Sequence, residues 1–138
     1  MWWVYALLSA LFASLTAIFA KIGVAHINSN LATAIRTTVV LLMAWGIVLA
    51  RGEQKETHLL TKHSMIFLCI SGIATGFSWI FYFRALQIGK VSEVAAIDKL
   101  SLALTIILSA TFLGENLNLK TIIGAGLIIA GTVVLIYK

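Results

Sequence analysis

The chain has 138 residues, of which 61% are hydrophobic and only 11% charged, whereas a soluble domain averages about half and about a quarter. With a mean hydropathy of +1.04, a water-soluble globular protein is excluded. The absence of proline excludes Pro-rich or collagen-like chains, a single cysteine excludes an intrachain disulfide, and the net charge of +5 has no soluble basic domain to carry it. That charge reads as a membrane-topology signal, and no nucleic-acid partner is expected.

Crossing about 30 Å of hydrocarbon takes about 20 residues of helix. Residues 2–20 form the first such stretch and carry no charge. This stretch lacks a basic leading region and a cleavage site ahead of a soluble domain, so it reads as a retained span rather than a secretory signal. The second span, 31–50, holds one charge, Arg36. The third, 64–83, holds none. The fourth, 94–113, holds Asp98 and Lys99, and the fifth, 121–137, holds none. Runs of this length are helices, not the alternating strands of about ten residues that membrane barrels use. The expected fold is therefore an all-α integral membrane protein with five transmembrane helices, in a single domain over residues 1–138. The connections 21–30, 51–63, 84–93 and 114–120 are too short to fold alone. Trp2, Trp3, Tyr5, Tyr82 and Tyr137 fall near span ends, where amphipathic rings prefer the interface.

Five spans put the two termini on opposite faces of the membrane. The N-terminal face (face A) carries Arg51, Lys55, Lys62 and Lys120, and face B carries Lys21, Arg84, Lys90 and Lys138. Arg36 and Lys99 lie within spans near face B. Such a balance gives little instruction about the direction of insertion. A chain inserting both ways would pair with its own inverted copy as an antiparallel homodimer. A single orientation, set by the slight excess on face B or by a partner, is the other reading. Solute paths at the bilayer midplane usually lie between repeats of opposite topology, and an inverted pair would supply that arrangement.

Polar residues recur on particular faces. In the fourth span Asp98, Ser101, Thr105 and Ser109 follow at intervals of three and four, which puts them on one side of a helix. Ser71, Thr75, Ser78 and Tyr82 repeat the pattern in the third span. Such faces line a hydrated path, or they hydrogen-bond across helices and to their own backbone. Ionisable groups within a span point to function or to a partner. Arg36, Asp98 and Lys99 make a candidate cluster in which Asp98 couples protons, or Arg36 and Lys99 attract an anionic or zwitterionic solute. In the structural alternative Asp98 bridges to Arg36 while Lys99 snorkels to the interface. Phe77, Trp79, Phe81, Tyr82 and Phe83 crowd the end of the third span as candidates to stack against an organic or cationic solute. An interfacial belt explains Tyr82 and Phe83 equally well, and Trp79, which lies deeper, is a candidate substrate contact.

Gly72 and Gly76 form a GxxxG. Gly126 and Ala130, flanked by Gly124 and Gly131, mark the fifth span as a packing or dimerisation helix. His26, His58 and His63 sit in loops without partners at metal spacing, and Cys69 is mid-span. No nucleophile–base pair or phosphate loop is visible. Neither an enzyme, a metal nor a cofactor is expected.

Three strings carry a family resemblance: FRALQIGKVS after the third span, DKLS at the start of the fourth, and LGE at its end. With TIIGAGLIIAGTVVLIY in the fifth span and KIGVAHINSNLATAIRTTVVLL at the second, nearly the whole chain resembles the EamA family of the drug/metabolite transporter superfamily, in particular its short single-repeat proteins. The resemblance implies one inverted-repeat unit of a transporter whose larger relatives have ten spans in two inverted halves around a central cavity. It also implies export or uptake of a small metabolite or drug-like solute, in a bacterial inner membrane. Similar sequences often carry a proline before the DK pair, where this chain reads Ala95, Ala96, Ile97. The small multidrug resistance relatives use a carboxylate in their first span, and this chain has none there. The expected function is solute transport by alternating access as an antiparallel dimer, with Asp98, Ser101, Thr105, Ser78, Trp79 and Tyr82 lining the path and Arg36 and Lys99 near its mouth. The alternatives are a non-transporting accessory subunit of another membrane protein and one half of a heterodimeric transporter.

Overall fold

A computed structural model describes residues 1–137; the face-B charge assigned to Lys138 lies outside them. The described residues form helices and connections without a strand. In chain order these are α1 (Trp2–Gly23), α2 (Ser29–Arg51), a 3-10 helix (Glu53–Leu59), α3 (Lys62–Ile88), α4 (Val91–Asp98), α5 (Leu100–Phe112) and α6 (Leu119–Ile136). Five segments are long and apolar enough to cross a membrane, with α4 and α5 together making the fourth, Val91–Phe112. The chain is an all-α integral membrane protein. In no span is more than 11% of the apolar window buried within the chain, so most of its hydrophobic surface is left for lipid or a partner.

The helices outrun the apolar stretches, because each added residue closes one more backbone hydrogen bond once a helix exists. α3 takes in Lys62 and His63 at one end and Arg84 to Ile88 at the other, which leaves only Gly89 and Lys90 before α4. Starts and stops follow local chemistry. The Asn28 side chain caps α2 by accepting from the Asn30 N–H at 2.9 Å, and Asn118 caps α6 by accepting from the Thr121 N–H at 2.8 Å. α2 stops at Gly52 (φ 73°), whose N–H returns to the Leu49 carbonyl. Gly114 (φ 66°) turns the chain after α5. A side chain would be strained at both.

The chain divides into two compact units, one of residues 1–18 with the chain from Ile88 onward, the other Phe19–Gln87. In the first, α6 packs on α4 and α5. Here the fourth span departs from the continuous helix its composition suggests. The Lys99 N–H turns back to Ala96 O, three residues behind, at 3.2 Å, and the Leu102 N–H does the same to Lys99 O at 3.0 Å. The break needs no proline. The buried Thr132 hydroxyl of α6 donates to the Ala96 carbonyl at 3.2 Å, and a side chain inserted into the hydrogen-bond ladder is an established cause of a kink.

The second unit has its buried residues toward the face-B ends of its helices. Val24 and Leu86 are fully buried, with Ala20, Ser29, Ala32, Thr33 and Phe83 nearly so. Phe83 is thus a core residue, not part of an interfacial belt. Backbone carbonyls left open after α1 find side-chain donors on α3. The Gln87 amide donates to Val24 O (3.3 Å) and Ile27 O (2.9 Å). The Lys21 ammonium donates to Leu86 O, and Arg84 donates to the Gln87 side-chain oxygen at 3.0 Å. The connection 21–30 is therefore tied to the end of α3 by hydrogen bonds that satisfy backbone carbonyls left open there.

Candidate functional site

In the unit Phe19–Gln87, α2 and α3 run in opposite directions through the membrane. Arg36 lies six residues inside Asn30, and Trp79 five residues before Arg84. By helical rise these are depths of about 9 Å and about 8 Å, so the two side chains share a level. There the Arg36 guanidinium carbon lies 3.4 Å from the centroid of the Trp79 ring and 5.8 Å from that of Phe83. Trp79 meets Tyr82 edge-on and Phe83 at a tilt, both at 5.8 Å. A flat cation laid on an indole face gains from the ring quadrupole, and more so away from water. The structure thus brings together three residues picked out separately in the sequence, Arg36, Trp79 and Tyr82. Phe83, read in the sequence as a stacking ring or a belt residue, joins them four residues after Trp79 on the same helix face.

In the other unit, Asp98 is the last residue of α4 and Lys99 occupies the break. Their side chains approach to 3.9 Å, both substantially exposed. Asp98 sits beside the N-terminal end of α5, whose dipole favours negative charge, and at the C-terminal end of the shorter α4, whose dipole disfavours it. The break therefore gives a carboxylate inside a span an electrostatic foothold that a continuous helix would lack. Ser101, Thr105 and Ser109 follow on one face of α5. Their hydroxyl chemistry is local: Thr105 donates to Ser101 O at 2.8 Å and Ser109 to Ile106 O at 3.0 Å. On α3, Thr75 likewise donates to Ser71 O at 2.9 Å, and Ser78 is exposed. The back-bonded hydroxyls of Thr75, Thr105 and Ser109 keep oxygen lone pairs free to accept. Thr132, which supports the break beneath Asp98, was not singled out in the sequence. A lone threonine among apolar residues carries no signal until its neighbour is known.

On α6, Thr132 and its neighbours one and two turns back face α4, and at about 100° per residue Gly126 and Ala130 turn to roughly the opposite side. Gly124 and Gly131 lie between these two sides. A methyl group added at Gly124, Gly126 or Gly131 would touch nothing within 4 Å.

Long apolar helices, with charges held within them and polar faces along two of them, define a multi-pass membrane protein. Comparison with known proteins makes this specific. Residues 1–137 match the EamA-like transporter family, and the chain belongs to that family. It is also 48% identical over 134 residues to a Sinorhizobium sp. protein described as "Uncharacterized transporter in cobO 3'region", covering 97% of this chain and 95% of that protein. No solved structure matches the chain. The protein is a membrane transporter.

Proposed function

We propose that the protein moves a small organic solute across a bacterial inner membrane by alternating access, and that two five-span copies of opposite orientation form the working unit. Membership of the transporter family over residues 1–137 carries the reading. The antiparallel pairing is supported by the even division of Lys and Arg between the two faces and by the small-residue side of α6 at Gly126 and Ala130 that α4 leaves free. Each unit taken by itself, the path-lining candidates are Asp98, Ser101 and Thr105 with Lys99 in the one, and Ser78, Trp79 and Tyr82 with Arg36 in the other. Reconstitution into liposomes with a screen for solute-stimulated flux tests transport. Reporters fused to both termini test pairing: C-termini found on both sides of the membrane are expected, and all on one side would exclude an antiparallel homodimer.

The hydroxyls bonded to their own helices favour one second reading, an accessory subunit or half of a heterodimer in which the polar faces only pack. Cysteines placed at positions 98, 101 and 105 separate the two. Labelling by a membrane-impermeant thiol reagent is expected for a water-filled path, and protection at all three for a packed face.

A further inference from the structure

We infer that Arg36, held flat on Trp79, is a receptor for the carboxylate of an organic anion with a planar apolar body; this rests on the transporter reading and names its substrate class. Arg36 makes no ion pair or hydrogen bond among the described residues. The only carboxylates of its unit, Glu53 and Glu56, belong to the 3-10 helix beyond the far end of α2. Stacking at 3.4 Å covers one face of the guanidinium and leaves its N–H donors, which lie in the plane, without acceptors. A half-buried cation about 9 Å inside a span pays for desolvation, and a π face offsets only part of this because it accepts no in-plane hydrogen bond. The fork of N–H groups fits a carboxylate at two points. Stacking on Trp79 also fixes the plane of the fork, so little freedom is lost when the anion arrives.

The surroundings select the rest of the solute. Beside the fork, Trp79 and Tyr82 are only partly buried and meet edge-on at 5.8 Å, and an aromatic pair there suits a flat apolar body attached to the carboxylate. A lone inorganic anion would leave those rings unused. A cationic solute would face Arg36 at close range and be repelled.

The test uses the full chain in detergent with Trp2→Phe, Trp3→Phe and Trp45→Phe, so that Trp79 alone emits. Benzoate is the probe, with benzamide and benzylamine as its neutral and cationic counterparts. Benzoate is expected to change Trp79 emission saturably while the other two do not. Arg36→Lys should weaken the response about tenfold or more through loss of the two-point contact, and Arg36→Gln should abolish it with helicity and elution volume unchanged. An equal response to benzamide overturns the inference, because apolar partitioning would then explain it, and this comparison requires no change at Arg36. A benzoate response that survives Arg36→Gln also overturns it, as does no response at all. A response that emerges only on Asp98→Asn overturns it too, since a protein carboxylate would then be the resident anion. Flux in liposomes separates the two claims. Transport that continues in Arg36→Gln removes the carboxylate receptor and leaves the transporter. Benzoate binding with no solute moved leaves the receptor and removes the transport reading.

Discussion

Arg36 and Asp98 pose the same physical problem in two units of the chain, a charge placed where lipid would exclude it. The unit Phe19–Gln87 treats it with rings. The guanidinium lies on Trp79, near a set of fully buried side chains and a hydrogen-bonded clasp from Lys21 and Gln87. The unit that holds α4 to α6 treats it with backbone. A helix is interrupted beneath Asp98, and Thr132 takes up the carbonyl at the break. Aromatic stacking fixes a cation in place, whereas the broken helix leaves a carboxylate exposed, with only a long contact to Lys99. Under the proposed function, the first unit would hold the solute and the second would be the moving part.

The largest effect that comparison predicts is at Asp98. If the carboxylate is the moving part, Asp98→Asn brings flux in liposomes to background while membrane insertion and helicity stay normal. Unchanged flux would remove Asp98 from the mechanism and leave Arg36 as the functional charge.

The next effect tests whether the ring-based unit is the rigid one. Leu86 is fully buried, and Leu86→Ala in a soluble core costs about 2–5 kcal/mol. Near a membrane face, lipid tails replace part of the lost contact, so about 2 kcal/mol is expected in reversible unfolding from detergent. A cost near zero would show that this unit is loosely packed, and the contrast with the α4–α6 unit would go.

How far the sequence carried this picture differs between the two units. The five spans were legible because apolar length alone identifies a membrane helix. Arg36 and Trp79 were each visible as anomalies, a charge and a deep indole. Their pairing was not, since it depends on α2 and α3 running antiparallel with positions 36 and 79 at one level. Phe83 carried two readings, a stacking ring or a belt residue, because composition does not separate an aromatic at a span end from one packed inside, where the structure puts it. The break at Lys99 was hidden for another reason. Its usual marker is proline, the chain has none, and the side chain that bonds to the break belongs to a threonine 33 positions further along the chain.

Thr132→Val sharpens that last point. It keeps the shape and removes the hydroxyl that donates to Ala96 O. Interhelical hydrogen bonds in membranes average about 0.6 kcal/mol, so a stability loss of that order is expected. Amide exchange should slow at Lys99 and Leu102 as the ladder closes. Exchange that stays fast would mean that the break arises from the sequence around Lys99 itself.

The smallest effect is expected at Lys99→Gln, and it decides what holds Asp98. The two side chains meet at 3.9 Å with 63% and 42% of their surface exposed. A pair so long and so wet contributes little, about 0–1 kcal/mol, and salt screens it further. If the α5 dipole and the break are the main support, Lys99→Gln changes stability by less than about 0.5 kcal/mol at both low and high salt. A larger loss that vanishes at high salt would make the lysine the support. Asp98 would then be held by a neighbouring side chain, as Arg36 is by Trp79, and the assignment of holding to one unit and moving to the other would lose its physical basis.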